Sequence, residues 1–218
     1  MRYRKLTGVV LKKQNYKEAD QIITLWTKET GKIRVLARSV RLSKSKLAYS
    51  LQDLSLVEIE IVNGKFLPVL IGAKVTNSFK KLREDLGKIG ITFYVTELML
   101  KMTADEHPSE SVYNLLVRFF EHLSNAEINQ QRYHPVLEVF TLKLLSSLGF
   151  GIKEAHTSFK IPANLSLYLD NLRTSSFLQA DQIQLNQDIN KKLHQVINDF
   201  IEYILERNLK SDLFLVSL

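Results

Sequence analysis

A chain of 218 residues that is 45% hydrophobic can build real cores for two small domains, which excludes disorder as its default state. Its formal charge is +7 and it has no cysteine, which excludes disulfides, thiol catalysis, iron–sulfur ligation and cysteine-based zinc sites. The charge is uneven: residues 1–80 hold 16 basic and 6 acidic side chains, residues 81–218 hold 14 and 17, so a polyanion-binding front half joined to a neutral or acidic back half is expected.

The basic start MRYRKLTGVVLKKQ has too short an apolar stretch for a signal peptide. No apolar run approaches the ~18 residues of a membrane helix, so a soluble, cytoplasmic protein without a membrane partner is expected. In chain order, residues 6–13 read as a first strand and, after the polar QNYKEAD, residues 21–27 as a second. Gly31 turns into a third strand, Lys32–Arg38. Residues 54–62 form a fourth, with Val57, Ile59 and Ile61 on one face and Glu58 and Glu60 on the other. Asn63-Gly64 then predicts a tight hairpin into Lys65–Lys74, where Pro68 marks an edge or bulge. Five strands without a parallel crossover predict a small antiparallel barrel of the OB type over residues 1–80.

From about Thr76 the period becomes helical. Ile91, Val95, Leu98 and Met102 form one stripe, and Val112, Leu115, Leu116, Phe119, Phe120 and Leu123 a second that Pro108 and Ser109 start. A third helix is expected over Tyr133–Leu148, ending at Gly149-Phe150-Gly151, and a fourth carries Ile189, Leu193, Val196, Ile197, Phe200 and Ile204. The fold class is therefore α+β: a five-stranded barrel, then an all-α domain over 81–218 with a weakly patterned insertion near 152–187.

Between Lys32 and Lys46 stand six cations, Lys32, Arg34, Arg38, Arg41, Lys44 and Lys46, and no acid. In the third strand, alternation sends Ile33, Val35 and Ala37 to the core and Lys32, Arg34, Leu36 and Arg38 to the other face. The loop that follows extends the same charge, and mobile basic loops follow phosphate backbones; a solvated charged loop is the plain alternative. Trp26 shares a face with Ile22 and Thr24 and is either a packing residue or a base-stacking platform beside the cations. Tyr3, Tyr16 and Tyr49 flank basic or polar segments and offer the same choice.

Catalytic signatures are sparse. Gly149-x-Gly151 follows a helix and reads as a helix stop rather than a dinucleotide loop, and Gly87–Gly90 as a turn between helices rather than a nucleic-acid-binding GxxG. The five histidines lack zinc-site spacing and read as surface or capping residues. Glu58 and Glu60 lack a third carboxylate at a recognisable spacing, which leaves a metal-dependent nuclease a distant reading. No catalytic residue, metal site or cofactor is expected.

Thr7-Gly8-Val9-Val10-Leu11, Tyr16-x-Glu18-x-Asp20, Thr27-x-x-x-Gly31, Ala37-Arg38 and Lys44-Ser45-Lys46-Leu47 occur in an order that resembles the RecO family of bacterial recombination and repair mediators. Phe140-x-Leu142-x-Leu144-Leu145-x-x-Leu148-Gly149-Phe150 resembles its central helix ending, and Leu209-Lys210-Ser211-x-x-Phe214-Leu215 its C-terminal signature. The resemblance implies DNA repair and homologous recombination in the cytoplasm, at the nucleoid. It implies binding of single- and double-stranded DNA, annealing of complementary strands, and loading of recombinase with RecR onto strands coated by single-strand-binding protein (SSB). It further implies that the helical domain takes the acidic, apolar-ended SSB tail, for which Arg118, Arg132 and Lys143, on or beside amphipathic helices, are the candidate cations. Two departures stand out: the family's four-cysteine zinc motif is absent from 151–185, and Ser39-Val40 replaces the usual Gly-Ala. The alternative function is an adaptor whose barrel binds RNA or an acidic protein.

Overall fold

The computed structural model describes residues 3–127, 135–152 and 161–212, apart from the Lys46 side chain. Two compact units emerge, residues 1–80 with 98–117, and residues 81–97 with 118–218. The first unit therefore takes in a stretch beyond residue 80, the boundary expected from composition.

In the first unit five strands, β1 (Tyr3–Tyr16), β2 (Asp20–Thr27), β3 (Gly31–Ala37), β4 (Leu56–Val62) and β5 (Val69–Asn77), close in the order β1-β2-β3-β5-β4. Neighbours are antiparallel except β3 and β5, joined in parallel at Leu36 and Val69. Alternation builds the interior: Leu6, Val10, Ile23, Leu25, Ile33, Val35, Ala37, Val57, Ile59, Ile61 and Leu70 form one core cluster. Val40 and Leu51 join it, and Leu47, on the short helix α1 (Lys46–Ser50), packs against it. That helix follows the basic loop and has no sequence period long enough to announce it.

β5 begins four residues later than expected, so Asn63–Pro68 is a six-residue loop, not a two-residue turn. Proline has no N–H for a ladder, which keeps the strand from starting before it. A Cβ at Gly64 would collide with the Leu67 carbonyl, so the loop doubles back there, and the Pro68 carbonyl accepts from Leu36 N–H at 2.8 Å.

The rest of this unit straps the β2–β3 hairpin. Residues 98–117 include the last turn of α2 (Leu86–Met102) and the start of α3 (Glu110–Asn125). Between them Lys32 and Asp105 form a parallel bridge, and Glu106 N–H donates to the Lys32 carbonyl at 2.9 Å. Gly31 holds φ +77°, and a Cβ there would run into the His107 carbonyl, so glycine is required twice over.

In the second unit α4 (Pro135–Ser147) is buried at ten residues, 135–142 with Leu144 and Leu145, and packs against α5 (Ala163–Thr174), α6 (Phe177–Asp181) and α7 (Gln187–Leu205). Phe119 packs against Phe140 with ring centroids 4.6 Å apart and planes tilted by 45°, and meets Phe177 edge-on. α4 stops where the glycines predict, with Phe150 N–H donating to the Leu145 carbonyl at 2.8 Å. The weakly patterned stretch contains α5 and α6, and Gly87–Gly90 lie inside α2 rather than in a turn between helices. No helix among the described residues is long and apolar enough to cross a membrane.

Candidate nucleic-acid interface

The outer face of β1, β2 and β3 divides along its length. Near the hairpin, Val9, Trp26 and Lys32 pair in one row and all are buried, Trp26 at 1% exposure and Lys32 at 8%. Lys32 Nζ donates to the carbonyls of Leu100, at 2.8 Å, and Thr103, and stands 3.3 Å from Asp105. It caps the C-terminal end of α2, where carbonyls lack intrahelical partners and the helix dipole favours a cation. The exposure expected of Lys32 is thereby corrected: alternation puts it on the outer face, but the strap covers that face. Trp26 resolves as a packing residue for the same reason.

One step along, Lys12, Thr24 and Arg34 form the next row. Lys12 and Arg34 are exposed, and Arg34 lies 3.8 Å from Asp105 at the edge of the strap. Gln14, Ile22 and Leu36 follow, and then the rim, where the strap no longer reaches.

Three loops meet at that rim. The β1–β2 turn and the basic loop are joined by Ser39 N–H to Asp20 Oδ1 (2.8 Å), Arg41 N–H to the Ala19 carbonyl (3.0 Å) and Arg41 Nη1 to the Glu18 carbonyl (2.9 Å). Ser39 holds φ +53°, a conformation that costs a non-glycine residue about 1 kcal/mol or more and that the Asp20 side chain holds in place. The Glu18-x-Asp20 motif therefore fastens the loop. On the other side, the Leu36–Pro68 hydrogen bond sets the β4–β5 loop beside the end of β3.

Arg38, Arg41 and Lys44 are all exposed on this rim. Arg41 spends one of its five donors on Glu18 and presents the rest. Arg38 and Lys44 have no hydrogen bond or ion pair among the described residues. Lys46 begins α1, beyond the loop. Sequence reasoning named Tyr16 but missed the β4–β5 loop: Lys17 stands 5.5 Å over the ring of exposed Tyr16, and Lys65 5.4 Å over the ring of Phe66, which is 89% exposed. Pro68 was the available signal, because it delays the strand and leaves residues 65 and 66 in a loop.

The other candidates lie apart. Glu60 is held by Lys5 at 3.4 Å. A hydrogen bond from the Tyr3 hydroxyl, ahead of the Lys5 contribution, lowers the Glu60 carboxyl below its ordinary range and raises the Tyr3 hydroxyl above its own. Glu58 is exposed opposite Thr7 and Lys74. Among the described residues no three His, Asp or Glu side chains gather as a metal site. Arg118 is exposed on α3 and Lys143 half-buried on α4, while Arg132 lies outside the described residues.

The second unit holds a cluster that no spacing announced. His194 Nδ1 lies 2.6 Å from Glu138 Oε1 and Nε2 2.7 Å from Asp212 Oδ1. Burial opposes the charged imidazolium, but the charge of Glu138 and hydrogen bonds to both carboxylates outweigh it and carry the pKa up to about 10. Glu97 accepts from the backbone N–H groups of Lys210 and Ser211, at 3.1 and 2.7 Å. The Leu209-Lys210-Ser211 signature is thus a docking device: Leu209 is buried, and the turn after it is tied by Glu97 and Asp212.

A closed barrel with a basic, aromatic rim, carried by a chain that also folds a helical unit, defines an α+β protein. Residues 1–79 match the family model "Recombination protein O N terminal" and residues 83–158 "Recombination protein O C terminal". A DNA repair protein RecO of Symbiobacterium thermophilum is 32% identical over 143 residues, covering 66% of this chain and 55% of that relative. One of Dehalococcoides mccartyi is 26% identical over 245 aligned residues, covering 98% and 95%. One of an Anaeromyxobacter species is 36% identical over 121 residues, covering 55% and 48%; the matched part spans about half the length of this relative and of the first. The chain belongs to the RecO family of DNA repair and recombination proteins.

Proposed function

We propose that this chain is a non-enzymatic mediator that binds single- and double-stranded DNA, anneals complementary strands and, with RecR, helps load recombinase onto SSB-coated DNA at the nucleoid. The observation that carries the reading is the meeting of Arg38, Arg41 and Lys44 with the β1–β2 and β4–β5 loops on one open rim. Strand order 1-2-3-5-4 supports an OB-type barrel over residues 1–80, a fold whose β2–β3 face and flanking loops take oligonucleotides. Annealing needs no acid or nucleophile: cations screen the repulsion between two phosphate backbones while the bases stay free to pair. The helical region, residues 81–218, takes the SSB tail, with Arg118, Arg132 and Lys143 as its cationic contacts.

The test is salt-titrated binding of the full chain to single-stranded DNA, duplex and RNA, with annealing followed in parallel. Neutralising Arg34, Arg38, Arg41, Lys44 and Lys46 together is expected to weaken DNA binding, slow annealing and flatten the log–log salt slope by about 0.7 per lost contact with single strands. Unchanged affinity, slope and annealing with the fold intact would place the surface elsewhere. Preference for RNA or an acidic peptide over DNA would favour the adaptor reading.

A further inference from the structure

Phe66 has no packing role. It is 89% exposed at the tip of a loop whose base is fixed, since Gly64 is pressed against the Leu67 carbonyl and the Pro68 carbonyl is bonded to β3. Tyr16, 42% exposed, ends β1 beside a turn that Lys17 makes at φ +54° and Arg41 anchors. Singly, exposed aromatics are ordinary. Here two flank the basic loop, and each carries a lysine ammonium over its ring at about the same distance, 5.4 and 5.5 Å. A cation on one face leaves the other for a flat π-system, and its charge suits a phosphate attached to that system. From the end of β1 to the start of β5 the rim crosses β2 and β3, three strand spacings or about 14 Å. The basic loop lies between.

We propose that Phe66 and Tyr16 are base-stacking residues, and that they make this rim select unpaired over duplex DNA. The proposal rests on the reading of the rim as the DNA surface and specifies which form of DNA it takes. Phosphates are offered by single strands and duplexes alike, so Arg38, Arg41 and Lys44 cannot distinguish them. Base faces are free only where strands are unpaired, and stacking on aromatic side chains tolerates every base. Because the loops are tied to β2 and β3, the rings are placed before DNA arrives and little ordering cost falls on binding.

The experiment compares the full chain with Phe66→Ala, Tyr16→Ala, Phe66→Trp and the Arg38/Arg41/Lys44 neutral variant. The probes are a 16-nucleotide single strand and the matching duplex, each titrated with salt. Phe66→Ala is expected to lose about fivefold or more in single-strand affinity, to change duplex affinity less than twofold, and to keep the salt slope, since no phosphate contact is removed. Tyr16→Ala is expected to act in the same direction. Phe66→Trp is expected to retain affinity and to show indole emission quenched by the single strand but not by the duplex; buried Trp26 should not respond.

Equal loss on both ligands, or none, overturns the proposal. If Phe66→Ala binds normally while the neutral variant fails, the rim still binds phosphate and only the stacking role falls. If the neutral variant also binds normally, the rim itself is not the DNA surface.

Discussion

The two ends of one strand pair make opposite use of the same pattern. β2 and β3 alternate without interruption, so Trp26 and Lys32 share an outer face with Arg34, and Arg38 extends it beyond the last residue of β3. At the hairpin end that face is sealed by residues 98–117, and the lysine becomes a helix cap. At the rim nothing of the described first unit covers it, and the arginine stays exposed. Alternation assigns a face; whether the face meets water depends on chain about 70 residues further on. Charge alone therefore overestimates the exposed basic surface at one end and, at the other, overlooks the exposed Lys65-Phe66 pair.

The largest expected effect breaks the comparison at its sealed end. Trp26→Ala should cost about 3–5 kcal/mol in chemical denaturation, the range for emptying a buried aromatic site. Phe66→Ala at the open end should cost less than about 0.5 kcal/mol. Trp26→Phe should be far milder than alanine, because it keeps most of the volume and removes an indole N–H that is buried without a partner among the described residues. Were Trp26 a base platform instead, its removal would spare stability and cost DNA affinity.

A second buried cation sharpens the contrast. Lys32 is held chiefly by neutral carbonyls, whereas His194 sits between Glu138 and Asp212 with its pKa raised from 6.5 to about 10. A raised folded-state pKa means stability fully present below about pH 6.5 and lost as pH climbs through 10. Tyr94, beside it, is raised well above 10, by burial first and then by the surrounding carboxylates, so it titrates above that window. Between pH 7 and 9 the wild type should lose stability steadily, and His194→Gln should flatten that slope. At pH 7 the variant should already be destabilised by about 3 kcal/mol, because Glu138 is left buried without its counter-charge. A wild-type stability curve flat from pH 7 to 9 would show that His194 is not charged in the fold.

Much of this was legible in the residues. Period-two alternation located β2, β3 and β4 because one face of each is buried, an apolar run located β1, the Asn63-Gly64 signal located β5 four residues early, and the Gly149 stop located the end of α4. α5 and α6 were illegible because Leu167 and Leu178, 70% and 71% exposed, blur the period of the buried Leu165, Leu169, Leu172 and Ala180. The basic loop was visible as composition, yet its anchoring by Asp20 and Glu18 was not, since hydrogen bonds across a turn leave no period. His194 was read as a surface or capping group because its partners lie 56 and 18 positions away. The same blindness to distant contacts made Lys32 and Arg38 look alike.

That likeness yields the subtlest test, on two cations of one face. Lys32→Met keeps most of the stem but removes the charged donor from the Leu100 and Thr103 carbonyls. Leaving such groups unsatisfied costs about 1–3 kcal/mol, so the variant should melt earlier while its DNA salt slope stays that of the wild type. Arg38→Gln should do the reverse. An exposed arginine without a described partner contributes less than about 0.5 kcal/mol to folding, yet losing one phosphate contact should lower the single-strand salt slope by about 0.7. Denaturation and salt-titrated binding on the two variants separate the roles completely. A flattened salt slope in Lys32→Met with unchanged stability would mean that the strap lifts from the hairpin and that the sealed end also meets DNA.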